Sequence, residues 1–388
     1  MITWQQLRDL KTQKYKDASD GWGELSSRAR AAKDRVDHEM LAKLRDTQSA
    51  KAADEAIGAL ERLSRNYQYI HTEAGLIRTA LNGFASELAG PQKKLNNALD
   101  EAQQLGFTVK PDGSVQYPAA VLSPTKTVTA TPDVPLPFLP HKADADANPN
   151  QAKAEDIAKR IAAALRDAVE VDRRYQSVLA KLKTSRGVTV DDATWRDVSA
   201  DTASVRGSSN GGIPKRKSPK DTLKWWNGLS RERQQELLTL YPDIIGQLDG
   251  VPAVARDEAN RNYLPMLISK LNGQDDEKSR MQLEGLQKLA SKLSEPSKPP
   301  MYLLGISDEG NGRAIVSYGN PDTARNVSAY VPGLGTALNE DFATIDLKRA
   351  KDTAIGAQKH DPSSASLVWL GYDAPNSQPR ILLKTSMS

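Results

Sequence analysis

The chain contains no cysteine, and only four phenylalanines occur in its 388 residues. Without cysteine there is no disulfide framework, no thiolate metal site and no cysteine nucleophile, and the chain is indifferent to redox compartment. Aromatic residues make up 5 % of the sequence and hydrophobic residues 38 %. That is lean for one large core and suits Ala-rich amphipathic helices joined by solvated linkers. No apolar run approaches the ~18 residues that read as a membrane-spanning helix. Residues 1–16 lack the apolar stretch of a secretory signal peptide. The expected location is therefore cytoplasmic, or outside the cell by a route that needs no signal peptide. An excess of one charge is missing too. The net charge is +4 and residues 1–117 are almost neutral, so nucleic acid is not the expected partner. The four histidines, His38, His71, His141 and His360, are scattered without ligand spacing. They read as ordinary helix or loop residues, and no metal or other cofactor is expected.

What the sequence does have is helical periodicity. Its length implies two or three packed units. Tyr15, Ala18, Trp22, Leu25, Ala29, Ala32 and Val36 recur at an average period of 3.5, a seam that would face a partner helix continuously. A second series runs through Ala56, Leu60, Leu63, Tyr67, Ile70, Ile77, Leu81, Phe84 and Leu88, and Asp46-Thr47-Gln48-Ser49 between them offers a helix stop and an N-cap. Two long helices joined by a short turn fold back as an antiparallel pair. Pro111-Asp112-Gly113 separates two short β-prone runs, so a small hairpin should close a helical-hairpin unit over 1–117. Residues 118–150 hold seven prolines and no period, which predicts an extended linker. The spacing of Ile157, Ile161, Ala164, Ala168, Val171 and Tyr175 predicts helix within a segment 151–206. A second linker, 207–219, carries Lys215-Arg216-Lys217 and is followed by Lys220 and Lys224. Without interleaved aromatics this basic run reads as a solvated linker.

Within the first helix lies Gly21-Trp22-Gly23, and Tyr69 and Glu73 show a Tyr-x-x-x-Glu spacing. The segment resembles the helical hairpins carried by substrates of the type VII (ESX) secretion route. Those place Trp-x-Gly at the bend, whereas here Trp22 and Gly23 are adjacent and mid-helix. The simpler interpretation is a packing hairpin with Trp22 in its core.

Residues 220–296 read as a helical cap region. Ser230 is placed to N-cap a helix that Pro242 stops, Asp249-Gly250 is a turn, and Pro252 opens a further helix. On that helix Arg256 shares a face with Asn260, and Asp257 with Arg261. The run Trp225-Trp226, Gln235, Pro242, Ile245-Gly246, Leu248-Asp249-Gly250, Pro252-Ala253, Arg256-Asp257 and Ala259-Asn260-Arg261 resembles the helical region preceding the catalytic domain of an actinobacterial α/β-hydrolase family, formerly a domain of unknown function. Residues 107–118, Asn82-Gly83-Phe84-Ala85 and the strands below are similar in the same order. The polar cluster Arg256, Asp257, Asn260 and Arg261 is either a scaffold pinning the cap to the next domain or a polar site.

From residue 301 the period becomes strand-like. Residues 302–306 and 313–318 form a hairpin across a glycine-rich turn, 326–331 is a third strand, a helix lies around 338–352, and 366–372 is a fourth strand. Two antiparallel strands followed by strand–helix–strand is how an α/β-hydrolase sheet begins. The fold class expected is thus mainly α, with a long N-terminal helical hairpin, a middle helical region and, over 297–388, an incomplete hydrolase-type sheet of about four strands. The resemblance makes Gly333-Leu334-Gly335 the loop that supplies one backbone N–H of an oxyanion hole, and puts Asp373 at the pocket edge. The family's nucleophile elbow, Gly-His-Ser-Tyr-Gly, has no counterpart: no Gly-x-Ser-x-Gly occurs, and no histidine follows His360. Residues 376–388 do not resemble the family. The expectation is an N-terminal portion of a serine hydrolase, cut before its nucleophile and inactive alone, with 366–372 left as an apolar edge. Its partners would be a separate chain carrying the rest of the domain, or a helical partner or second copy. The alternative is a secretion or interaction module with a degenerate passenger.

Overall fold

A computed structural model describes residues 2–47, 51–118, 127–130, 149–182, 187, 189–207 and 211–375. In chain order it contains helices α1 (Trp4–Asp9) and α2 (Gln13–Arg35), a π-helical turn (Val36–Leu41), α3 (Ala42–Thr47), α4 (Lys51–Gln104), strands β1 (Thr108–Val109), β2 (Val115–Pro118) and β3 (Thr127–Ala130), and helices α5 (Pro149–Lys181), α6 (Asp192–Gly207), α7 (Pro219–Asn227), α8 (Arg231–Leu240), α9 (Pro242–Ile245), α10 (Ala253–Asn272) and α11 (Glu277–Ser294). Strands β4 (Met301–Ser307), β5 (Arg313–Tyr318) and β6 (Asn326–Tyr330) follow, then a second π-helical turn (Phe342–Asp346), α12 (Leu347–Gln358) and β7 (Ser364–Leu370). The fold is mainly α with a small four-stranded mixed sheet near its C-terminal end. No helix among the described residues is long and apolar enough to cross a membrane.

The chain divides into two compact units, and not at the expected boundaries. One holds residues 1–21 and 77–183, the other 22–76 and 184–388. The division runs through α2 and α4 rather than after residue 117, and it separates α5 from α6 within 151–206. Of the expected turn at 46–49, Asp46 and Thr47 end α3, while Gln48 and Ser49 lie outside the described residues.

In the first unit, α1 opens on a capping box in which Thr3 and Gln6 satisfy each other's backbone amides. The Gln92 side-chain amide donates to the carbonyls of Leu7, Arg8 and Leu10 at 3.0, 3.1 and 2.7 Å, holding the end of α1. Phe84 packs between Tyr15 and Tyr175, with ring centroids 4.9 and 5.7 Å away. The face of α5 read from its spacing buries Ile157, Ile161, Ala164, Ala168, Val171 and Tyr175. The expected two-stranded hairpin is a three-stranded antiparallel sheet in the order β1-β2-β3. Its third strand comes from the stretch assigned to linker: Thr127–Ala130 pairs with 115–118. Thr-Val-Thr is β-branched, and strand pairing recruits it although no long alternation marks it. Residues 119–126 and 131–148 lie outside the described residues.

In the second unit, the expected seam of α2 holds at Ala29 and Val36 and fails at Trp22 and Leu25. Trp22 and Leu25 are 37 % and 42 % exposed, while Ser26, Ala29 and Val36 are buried. Trp22 is therefore not core. Small side chains face α4, and the reason is polar: Ser26 Oγ donates to the His71 carbonyl at 2.8 Å, and His71 Nδ1 lies 3.0 Å from the Ser26 carbonyl. The α4 series errs likewise. Leu63 and Ile70 are exposed, whereas Ser64, Gln68, His71, Thr72 and Glu73 are buried. Apolar periodicity finds a buried face only when that face is apolar.

The caps expected for the later helices are in place. Ser230 Oγ accepts from the Arg233 amide at 3.2 Å, and Pro242 follows the end of α8. Pro252 is the N-cap of α10 rather than its first helical residue. Lys215, Arg216 and Lys217 are exposed. Helices α10 and α11 pack Leu264, Leu267, Leu271, Leu286, Leu289 and Leu293 against the sheet. That sheet runs β4-β5-β7-β6, antiparallel except for the parallel pair β6–β7, which α12 connects. Hence the fourth strand is not the exposed edge expected at 366–372. It lies between β5 and β6, and the outer strand is β6, whose residues 326–329 are exposed. A β6-α12-β7 crossover places the new strand beside its predecessor, where β5 also completes its pairing; sequence order alone does not specify that neighbour.

Candidate functional site

Two places matter: the carboxyl edge of the sheet and the polar face of α10. At the first, the loops after the parallel strands β6 and β7 meet. The Tyr372 hydroxyl donates to the Pro332 carbonyl at 2.6 Å and the Gly335 amide to the Pro375 carbonyl at 3.0 Å. Trp369 and Tyr372 stack at 5.9 Å with their planes 9° apart. The structure thus brings Gly333-Leu334-Gly335 and Asp373 to one edge, where α/β sheets place their ligands. Leu334 is 71 % exposed. Gly335 has φ +72°, so its conformation is one an L side chain adopts at a cost. Its N–H is occupied by Pro375. The Gly333 and Leu334 amides have no hydrogen-bond partner among the described residues. Asp373 Oδ1 accepts from the Asn311 amide at 2.8 Å, so this carboxylate braces the turn between β4 and β5. A Cβ at Gly335 would meet open space. Gly335→Ala is therefore expected to cost about 1 kcal/mol, from backbone conformation alone, read as a shift in urea midpoint; a loss several times larger would mean that the loop is packed, not open.

On α10, Arg256 Nε donates to the Gly246 carbonyl at 3.2 Å, and Nη1 pairs with Asp249 at 3.1 Å. Burial lowers the Arg256 pKa against the pull of Asp249. Asn260 is 0 % exposed. Its amide donates to the carbonyls of Gly246 at 2.8 Å and Leu303 at 3.0 Å, tying α10 both to the turn after α9 and to β4. Asp257 accepts from the Leu303 amide at 2.7 Å and from Arg261 Nε at 2.9 Å on each oxygen. Arg261 also donates to the Leu293 and Met301 carbonyls, both at 3.1 Å. Burial raises the Asp257 pKa even with Arg261 beside it. All four side chains reach backbone or charged groups of neighbouring elements in the unit.

Sequence reasoning missed the groups facing them. Arg30 on α2 pairs with Glu258 on α10. Gln68 Nε2 donates to Asn262 Oδ1 at 3.3 Å. Burial lowers the His71 pKa, with Arg30 adding to the effect. Ser26 and His71 form a serine–histidine pair with Oγ 2.9 Å from Nδ1. Because the hydroxyl and the ring nitrogen each engage the other residue's carbonyl, the pair staples two helices and is not poised as a nucleophile. Glu73 is buried with Oε1 unpaired, and burial together with Asp201 and Asp197 raises its pKa to about 8. A carboxyl so enclosed is not an exposed signal. The overlooked clue is a polar stripe at helical spacing, Ser64, Gln68, His71 and Thr72, beside the apolar series of the same helix.

Comparison with known proteins agrees with the sheet. Residues 308–387 match the family described as Alpha/beta hydrolase. The match extends over residues 376–387, which the residues alone had set apart from the family. Two curated relatives, both uncharacterized proteins of Mycobacterium tuberculosis from two strains, are each 29 % identical over 195 residues. These alignments cover 41 % of this chain and 29 % of each relative's length. No solved structure matches. The C-terminal region of this chain is α/β-hydrolase-like.

Proposed function

We propose that residues 297–388 contribute the opening strands and the oxyanion loop of a serine hydrolase acting on an ester or amide, and that these 388 residues alone perform no turnover. The observation supporting this is the meeting of loops 331–336 and 371–375 at the carboxyl ends of β6 and β7. In this loop the Gly333 and Leu334 amides are unengaged among the described residues. A backbone N–H there is the kind of donor that stabilises the oxyanion of acyl transfer. A nucleophile and a base would have to come from outside these 388 residues, on a further strand beside β6, because a Ser-His-Asp mechanism needs all of its groups together. Asp373 and the α10 cluster serve as braces: the former holds the β4–β5 turn and the latter joins α10 to β4. The purified chain is expected to hydrolyse p-nitrophenyl butyrate at the background rate. Adding a polypeptide that carries a Gly-His-Ser-Tyr-Gly segment and a downstream histidine is expected to raise that rate. Robust turnover by this chain alone would sink the proposal.

A further inference from the structure

The second unit contains a cavity of about 440 Å³, lined by α2, α4, α10 and the start of β4, that the hydrolase reading does not use. His71 of α4 lines it and is only 8 % exposed. One edge of its ring is fixed against α2. Two contacts there are to carbonyl oxygens, which only accept: Ser26 Oγ lies 2.8 Å from the His71 carbonyl, and Nδ1 lies 3.0 Å from the Ser26 carbonyl. The one hydroxyl proton of Ser26 serves the first contact, so Nδ1 carries the ring proton that serves the second. In the uncharged ring the lone pair is therefore on Nε2. That atom has no hydrogen-bond partner among the described residues and is not enclosed, so a bare acceptor borders the cavity. Burial, which lowers the His71 pKa, favours this form.

The charge on the cavity wall is unbalanced. Arg30 pairs with Glu258, and Arg261 with Asp257. Lys33 is taken by Asp37, and Glu295 by Lys292. Asp34 has no ion pair among the described residues, so the wall carries one carboxylate in excess. His38 and Tyr302 complete the titratable lining. Arg30 stands one helical turn from Ser26 on the same face of α2, and Arg30, Glu258 and Asp34 all act electrostatically on the His71 ring. A free acceptor beside excess negative charge selects a cation that carries N–H donors. An anion would meet like charge and no unpaired cation on the wall. No group of three His, Asp or Glu side chains among the described residues is arranged to hold a metal ion.

We propose that this cavity binds a small primary amine in its ammonium form, with one N–H donating to His71 Nε2 and the excess carboxylate of the wall balancing the charge. One hydrogen bond fixes the head. The carboxylates act through their field, which falls off gradually with distance and needs no direct contact.

Long-range proton–nitrogen correlation spectra of the full chain at pH 8 test this, since a primary amine is protonated about two units below its pKa. His71 is expected in the Nδ1–H tautomer, and n-butylammonium is expected to move its Nε2 resonance. n-Butylammonium is expected to bind at least tenfold more tightly than butyltrimethylammonium, which has the charge but no donor, and than 1-butanol, which has the donor but no charge. Butyrate is expected not to bind. Nα-acetyl-lysine amide, which presents the same ammonium on a peptide-like body, is expected to bind at least tenfold more weakly; equal affinity would overturn the small-molecule assignment in favour of a lysine side chain. Asp34→Asn, an exposed substitution, is expected to weaken n-butylammonium at least threefold. His71→Asn keeps a donor for the Ser26 carbonyl, lacks Nε2 and is expected to abolish binding. If it does not fold, the tautomer, the probe ranking and Asp34→Asn still decide. Affinity is also expected to fall as pH drops through the His71 pKa, because a protonated Nε2 cannot accept and repels the ligand. An Nε2–H tautomer, equal affinity for n-butylammonium and butyltrimethylammonium, or no binding of n-butylammonium at tens of millimolar would each overturn the assignment.

Discussion

Glu73→Gln is expected to leave stability unchanged near pH 4.5 and to raise the melting temperature at pH 9 by about 10 °C. Glu73 sits on α4 among buried neighbours, with Asp201 and Asp197 of α6 acting on it. Burial, then the two aspartates, raise its pKa from 4.5 to about 8, so it carries a proton at neutral pH. An acid whose pKa is higher in the folded than in the unfolded state holds its proton more tightly when folded. The resulting stabilisation is complete below pH 4.5 and is lost as pH rises through 8. At about 1.4 kcal/mol per pKa unit, the full loss is about 4–5 kcal/mol. Glutamine matches the protonated form and cannot ionise, so it removes the dependence. Thermal melts at half-unit steps from pH 4.5 to 9 measure it. A wild-type profile that stays flat between pH 6 and 9 would show that Glu73 is ionised throughout.

Asp257→Ala is expected to destabilise the second unit by about 3 kcal/mol. The aspartate is the acceptor for the Leu303 amide at the start of the sheet and for Arg261 Nε. Removing it leaves an amide and a largely buried guanidinium without that partner, and unpaired charge is what makes such substitutions costly. Arg261 keeps its bonds to the Leu293 and Met301 carbonyls, so the loss stops short of complete unfolding. In the double variant Asp257→Ala/Arg261→Met the stranded charge is gone, and more than half of the loss should return. Urea denaturation followed by circular dichroism reads both. A single-variant loss below about 1 kcal/mol would place Asp257 among ordinary surface pairs.

Much of the hydrolase-like region was legible in the residues. Two β-prone runs around Asp308-Glu309-Gly310-Asn311-Gly312 became β4 and β5, and strand, helix and strand followed in the expected order. These are local signals, since turn glycines and alternation act over a few residues. Which strand ended at the edge was not legible: the choice between β6 and β7 depends on pairing across the sheet. The α10 cluster was visible as polar residues sharing helix faces, but its function as a tie to β4 depends on carbonyls 40 and 43 residues away.

Local residue patterns are enough to show that this protein is built mainly from helices, that Ser230 opens one of them and Pro242 follows its end, and that a glycine loop follows the third strand of a hydrolase-like sheet. Caps, proline stops and turn glycines need no distant partner. Packing across the chain sets the rest: Trp22 faces outward, Ser26 and His71 face each other, and Glu73 is enclosed where burial raises its pKa. Polar residues carry no periodic mark of burial. Whether they are enclosed is set by partners brought together from far along the chain, and each enclosed group then has to find its hydrogen bonds or go without them.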